Sequence, residues 1–196
     1  MELIIVRHGE TEWTISGQYT GVTDIPLTPN GRRQAVSLRP LLDCVLSGRT
    51  SVVYSSPRER AAETAELALP AARAVIEPLI SEYDYGTYEG LTPDQISVLR
   101  PGWDIWRDGC PGGESPNDVG SRAGKFLREH AENTPAPVVV VSHAHFSRIP
   151  AQGRWALPPT PVTCSPALPP QSPWSGITTV SAASGCGTRP PTWSPT

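Results

Sequence analysis

Four short stretches of this chain carry side chains suited to handling a charged group. Arg7-His8-Gly9-Glu10-Thr11 follows an apolar run, and Ser55-Ser56 precedes Arg58 and Arg60. Glu82 and Asp84 stand in a polar stretch, and Ser142-His143-Ala144-His145 follows a run of valines. The set is cationic, although the whole chain has a formal net charge of −3. A concentrated positive site on a negative protein suits a small anion of dense charge, such as a phosphoryl group. Guanidinium forks match phosphate oxygens in pairs. They also disfavour protonation of a neighbouring imidazole, which leaves a lone pair free to attack phosphorus.

Those residues must be gathered by the elements before them. Leu3-Ile4-Ile5-Val6 reads as a buried strand, Ser51-Val52-Val53-Tyr54 as a second, Ala74-Val75-Ile76 as a weaker third, and Val138 to Val141 as the strongest. Thr28-Pro29-Asn30-Gly31 reads as an N-cap with proline at the first helical position, and the helix should bend or stop near Pro40. Ser56-Pro57-Arg58-Glu59 has the pattern of a capping box, opening a helix through Ala68 whose dipole would add positive charge to the site. Thr92-Pro93-Asp94-Gln95 opens a helix by the same chemistry, and Ser115-Pro116-Asn117-Asp118 starts one running to about Asn133. Residues 100–114, rich in Trp, Gly and Pro, read as a loop. Alternating strands and helices predict a three-layer α/β/α fold with a mostly parallel central sheet. Its functional crevice should lie beyond the carboxyl ends of the strands, where the charged stretches fall.

Composition narrows the function classes. The net charge gives no footing for nucleic acid. No apolar run exceeds four residues, which argues against a membrane span, and the residues before Leu3 are too few for a secretory signal. Cys44, Cys110, Cys164 and Cys186 show no CxxC spacing, so a zinc knuckle or redox pair is not expected. Read as reduced thiols, they place the chain in the cytoplasm. The expected partner is a small phosphorylated metabolite, with no nucleic acid and no membrane, and a homodimer is left open.

Taken in order, the charged stretches resemble the histidine phosphatase (phosphoglycerate mutase-like) superfamily. The resemblance covers residues 2–148. It takes in Thr20-Gly21-Val22-Thr23-Asp24-Ile25-Pro26-Leu27-Thr28, Ser56-Pro57-Arg58-Glu59-Arg60-Ala61 and Glu82-Tyr83-Asp84-Tyr85-Gly86. The Arg-His-Gly triplet alone is weak; four motifs in the right order are specific. The stretch from Trp103 to Ser115 is similar to a branch that contains bacterial acid phosphatases and a sedoheptulose-bisphosphatase. The resemblance implies that His8 is the nucleophile and becomes a phosphohistidine. It implies that Arg7, Arg60 and His143 clamp the phosphoryl oxygens, and that Glu82 is the general acid and then the base. The family arginine maps to Arg60, directly before Ala61, with Arg58 the second choice for it and otherwise a contact at the pocket rim. Thr14 and Thr20 stand where the family often has a small polar phosphate contact, and Gly21 and His145 complete the substrate-binding set. No cofactor and no metal are implied.

Plainer readings stand beside these. An isolated Arg7-His8 pair would be a surface arginine and a core histidine. His143 and His145 have the spacing of a metal pair, but the other histidines are His8 and His130, and His130 reads as a solvated residue on a polar helix. Asp84 competes with Glu82 for the acid role. Trp103 and Trp106 either line a pocket or pack the loop, and Cys110 reads as a small buried residue. A cofactor-dependent phosphoglycerate mutase and a non-catalytic phospho-ligand binder are the alternatives to a hydrolase. A mutase must hold a bisphosphate, and here Lys125 is the sole lysine.

Two departures from the family pattern stand out. Ala144 replaces a usual glycine, and its methyl group would be strained if the position needed a positive φ. Residues 149–196 form a Pro/Ser/Thr-rich tail, with 11 of the 23 prolines after position 149. Only Ile177 to Val180 reads as a short strand there, and by composition the tail is expected to be poorly ordered. Arginine outnumbers lysine 15 to 1, which suggests a GC-rich coding sequence. Codons for Ala167 to Thr192 read in another frame can spell a Val-rich strand, a turn and a second strand. A frameshifted C-terminal end is the expectation.

Overall fold

The computed structural model describes residues 2–149 and 177–181. The chain runs β1 (Glu2–Arg7), α1 (Glu12–Ser16), α2 (Pro29–Ser37), α3 (Arg39–Leu46), β2 (Val52–Ser55), α4 (Glu59–Ala68) and β3 (Val75–Ile76). It continues through α5 (Pro93–Leu99), α6 (Ile105–Asp108), α7 (Pro116–Phe126), β4 (Val138–Ser142) and β5 (Ile177–Ser181). The sheet order is β3-β2-β4-β1-β5. The first four strands are parallel, and β5 pairs antiparallel with β1, from Ile177 opposite Val6 to Ser181 opposite Glu2.

The apolar runs of β1 and β4 are continuous because both faces of the sheet are covered. Leu3, Ile5, Val138 and Val140 enter a core with Tyr83, Tyr85, Ile96, Val119 and Phe126. Ile4, Val6, Val139 and Val141 enter a second core, on the opposite face, with Leu38, Leu42, Ala61 and Ala65. Two cores divided by one sheet make the three layers that the strand–helix alternation predicts.

Local capping explains most helix starts. Thr28 accepts from the Gly31 N–H with Pro29 first in α2, and Thr92 with Gln95 and Ser115 with Asp118 form reciprocal capping boxes. The expected break near Pro40 falls at Leu38, so that the proline lies in the first turn of α3, where its missing N–H costs nothing. Helix α4 differs from expectation: it starts at Glu59 after Arg58, with no side-chain cap from Ser56. The Glu59 N–H is taken by Asp24 Oδ1 at 2.9 Å, so an acidic loop residue occupies the positive end of that helix. Within 100–114, Asp104 caps the short α6.

Ala144 has no positive φ, so its methyl group carries no backbone strain. The anticipated strand at Ile177–Val180 is present as β5. The remainder of the tail, and with it the frameshift expectation, lies outside the described residues. Among the described residues no helix is long and apolar enough to cross a membrane.

Candidate active site

Three adjacent strand ends bring the site together. The His8 N–H donates to Ser142 O at 2.9 Å, and the Ser56 N–H donates to Val141 O at 3.0 Å. The chain exits of β2, β4 and β1 are therefore tied side by side. On these exits the His8 and His143 rings meet edge to face with centroids 5.1 Å apart, and His143 Nε2 lies 2.7 Å from Ser56 Oγ. The hydroxyl expected to cap α4 meets this histidine and also accepts from the Arg58 N–H at 3.4 Å, just before the helix. His143 is fully buried, and its Nδ1 has no partner among the described residues.

His8 is held in one tautomer by its neighbours. Its Nδ1 lies 2.8 Å from Gly9 O, which can only accept, so Nδ1 carries the proton and Nε2 keeps its lone pair. Arg60 Nε–H points at that lone pair from 3.3 Å. Burial, and then the Arg60 and Arg7 charges, lower the His8 pKa to about 3 against the opposing pull of the Gly9 carbonyl. Burial also lowers His143 well below the ordinary imidazole value, with His8 and Arg60 adding to it, and lowers His145. All three are neutral in the folded chain near pH 7.

This has a measurable consequence of definite sign. The unfolded histidines gain protons near pH 6.5, whereas the folded ones resist protonation to lower pH. The unfolded state therefore binds more protons below pH 6.5, and stability falls as the pH is lowered from 7 through 5 toward 3. Imidazole resonances followed by NMR should show His8 uncharged at pH 5, and the thermal midpoint should drop over the same interval.

Arg60, on the first turn of α4, is fully buried. Its Nη1 donates to Thr23 O at 2.9 Å, and its Nη2 donates to Thr20 O and Gly21 O at 2.9 and 3.1 Å. The guanidinium is thus locked by the 20–23 loop, with its Nε edge turned to His8. Gly21 is needed there because a Cβ would run into the Tyr83 carbonyl. Glu89 clamps the loop from behind, accepting from the Gly21 and Thr23 N–H groups at 2.9 and 3.0 Å through Oε1. One turn along α4, Thr64 Oγ1 accepts from the Gly9 N–H at 3.1 Å and fixes the residue after the nucleophile. Arg7 lies within electrostatic reach of both His8 and Glu82. Arg58 has its buried Nε without a partner among the described residues.

Glu82 is the buried carboxylate of the site. Oε1 accepts from the Tyr83 and Phe146 N–H groups at 3.0 and 2.8 Å, and Oε2 accepts from the His145 N–H at 3.0 Å. Its charge also acts on Arg7 and Arg60. Asp84, the competing acid, instead accepts from the Gly86 N–H at 2.9 Å within its own turn. Arg122 on α7 fixes the Glu82 segment, donating to Leu79 O, Ser81 O and Glu82 O at 2.9, 2.6 and 3.0 Å while paired with Glu114.

The sequence-based candidates therefore separate. Arg7, His8, Arg60, Glu82 and His143 converge, with Arg58 beside them. The Thr14 hydroxyl is spent in a reciprocal cap with Thr11, so it serves α1 rather than a ligand. Thr20 and Gly21 act through their carbonyls on Arg60, and the Thr20 hydroxyl donates to Gln18 O at 3.2 Å. His145 turns toward aromatic rings rather than into a metal pair. His130 is not simply solvated: its Nε2 lies 2.9 Å from Glu77 Oε2. Trp103 and Trp106 pack against the first core, and they line a cavity of about 250 Å³ with Tyr19, Asp104 and His145 that does not include His8, Arg60 or Glu82. Cys110 is buried, and burial pushes its thiol up to about 12. Sequence reading overlooked Arg122, Glu89 and Thr64. Among the described residues no group of three or more His, Cys, Asp or Glu is arranged to hold a metal ion.

Comparison with known proteins agrees with this geometry. A profile described as the histidine phosphatase superfamily (branch 1) matches residues 3–162. An acid phosphatase of Mycobacterium tuberculosis is 43% identical over 147 residues, covering 74% of this chain and 71% of that protein. The sedoheptulose 1,7-bisphosphatase of Saccharomyces cerevisiae is 35% identical over 173 residues, covering 74% of this chain and 64% of the yeast protein, so just under two thirds of the latter is spanned. Among solved structures, a mycobacterial glucosyl-3-phosphoglycerate phosphatase complexed with VO3 has a TM-score of 0.69 at 27% identity, covering 80% of this chain and 87% of that one.

Proposed function

The chain belongs to the histidine phosphatase superfamily, and from that premise we propose that it hydrolyses phosphomonoesters of small metabolites through a phosphohistidine, without a metal ion. The observation that carries the reading is the state of His8: Nδ1–H anchored on a carbonyl, Nε2 unprotonated, and a buried guanidinium at its edge.

A dianionic phosphoryl group entering this hollow meets Arg7, Arg58 and Arg60, whose charges draw it in and stabilise its equatorial oxygens. Nε2 forms a bond to phosphorus as the ester P–O bond breaks. Glu82, entering this step in its carboxylic acid form, gives the departing oxygen a proton and is left as the carboxylate, and the Gly9 carbonyl steadies the Nδ1–H of the now cationic ring. Glu82 then takes a proton from water as that water attacks phosphorus and the N–P bond breaks. Free phosphate and neutral His8 result, and splitting the transfer in two lowers each barrier.

The test is a panel of sugar phosphates, phosphoglycerates and aryl phosphates, assayed with and without a chelator, with an alkaline quench to trap phosphohistidine. Phosphate release unaffected by chelator, with label on His8, is the expected result. Isomerisation of phosphoglycerate without net release would turn the assignment to a mutase, and loss of activity on chelation would overturn the metal-free reading.

Glu82→Gln keeps the backbone hydrogen bonds to its Oε1 position but supplies no proton. Turnover of alkyl phosphates should fall by roughly 10²–10⁴, the usual worth of a general acid. The loss should be much smaller for 4-nitrophenyl phosphate, whose leaving group needs no proton.

A further inference from the structure

Tyr85, buried, and His145, half-buried, form a pair that the chemistry above leaves unused. Tyr85 Oη lies 2.6 Å from His145 Nδ1. Burial, with Glu82 and Tyr19 nearby, raises the Tyr85 phenol well above its ordinary value, so it stays protonated and shares one hydrogen bond with the neutral imidazole. The two residues belong to the same two segments that meet at Glu82. Tyr85 follows Glu82 by three positions, and the His145 and Phe146 N–H groups hold the Glu82 carboxylate.

The segments are therefore joined at several points. One joint is the Glu82 carboxylate on the backbone of 145–146, a second is the Tyr85 hydroxyl on the His145 ring, and a third, nearer the strand, is the Ser142 hydroxyl donating to Ile80 O at 2.6 Å. The second is the joint beyond Glu82, and it limits how far the carboxylate can swing about the other two. The surroundings stiffen the second joint. Tyr19 stacks on Tyr85 with centroids 4.8 Å apart, and Tyr19, Tyr83 and Trp106 all contact the His145 ring edge-on. On the far side Arg122 pins the carbonyls of Ser81 and Glu82.

We propose that Tyr85 and His145 are positioning residues that aim Glu82 at the leaving-group oxygen by bracing its loop against the turn after β4. The inference rests on Glu82 acting as general acid in the reaction proposed above. His145 thereby changes role: it acts through Glu82 and not as a direct clamp on the phosphoryl group. A misplacement of a fraction of an ångström at a proton donor slows the chemical step while leaving phosphate recognition intact.

The experiment compares kcat/KM of wild type and Tyr85→Phe over 4-nitrophenyl, phenyl and alkyl monophosphates. This quantity covers steps through loss of the leaving group, so it reads protonation of that group. Tyr85→Phe should stay within about threefold of wild type on the nitrophenyl ester and lose about tenfold or more on the alkyl ester, a scale set by partial loss of general-acid catalysis. His145→Ala should steepen the leaving-group dependence likewise, and His145→Asn, which can present Oδ1 near the place of Nδ1, should restore a shallower one. These two variants decide the matter if Tyr85→Phe does not fold. An equal loss across all leaving groups would mean a structural role only, and no loss on any of them would mean no role; either overturns the inference. If wild type releases phosphate without labelling His8, the parent mechanism fails and the inference with it. A labelled His8 with unchanged slopes in the variants removes the inference alone.

Discussion

His8→Ala is expected to abolish turnover, with a fall in kcat of roughly 10⁶-fold, the scale found when one member of a concerted nucleophilic unit is removed. The size follows from the arrangement and not from the residue type. Nε2 of His8 is the unprotonated nitrogen that the Arg60 guanidinium faces, and the neighbouring imidazole, His143, has its Nε2 engaged with Ser56 Oγ. No substitute nucleophile is poised there, so chemical rescue by Glu82 or His143 is not expected. The fold should persist at some cost in stability, because His8 bonds locally to Gly9 O while the longer 3.3 Å contact from Arg60 Nε and the packing on His143 are lost. Its acid sensitivity should weaken, since one of three histidines that must stay unprotonated is gone. Rates on 4-nitrophenyl phosphate, phosphohistidine labelling and melts at pH 7 and pH 5 check all three statements. Residual labelling of the variant would contradict the first.

Arg60→Ala combines the second-largest loss of activity with the largest loss of stability. A positioned arginine on a transferring phosphoryl group is worth roughly 10³–10⁵ in rate. Here the same guanidinium also satisfies the carbonyls of Thr20, Gly21 and Thr23. A buried acceptor left unpaired costs about 1–3 kcal/mol, so the deletion removes several kcal/mol from a total of about 5–15. Arg60→Lys should recover part of the melting temperature but little of the rate, because one ammonium cannot span three carbonyls and still reach His8. Removal of the charge should also let His8 titrate at higher pH, since Arg60 is the leading charge that lowers it. Melts, kcat/KM and the His8 NMR titration separate these effects. A variant that melts like wild type would show that the 20–23 loop does not depend on Arg60.

The parts of the fold legible in the sequence were those governed by neighbours in the chain. Thr28, Thr92 and Ser115 cap the helices that follow them because the cap geometry spans only three residues. The valine run and Leu3 to Val6 mark strands covered on both faces. Arg7, His8, Arg60, Glu82 and His143 were legible because each stands within a recognisable motif. Ser56 shows where that logic stops: the helix starts at Glu59, two residues later than the local pattern implies, and Asp24, 35 positions upstream, takes its N–H, while the Ser56 hydroxyl meets His143. Thr14 fails in the opposite direction, since Thr11 uses the side chain expected to meet a ligand. Arg122 and Glu89 were invisible because an ordinary charged residue on a helix or loop carries no sign of the distant backbone it will hold. Their partners lie 40 and more positions away.

The strand ends gather Arg7, Arg58 and Arg60 around two imidazoles kept neutral by their surroundings. Without an anion in place, these groups repel one another or sit stripped of water, and the two cores must outweigh that tension. Arg60 offsets its share through the carbonyls it binds, whereas apolar replacement of a buried polar group that lacks such partners commonly makes a protein sturdier while ending its activity. The cluster therefore trades stability for a binding site, and an oxyanion that pairs with it should raise the melting temperature.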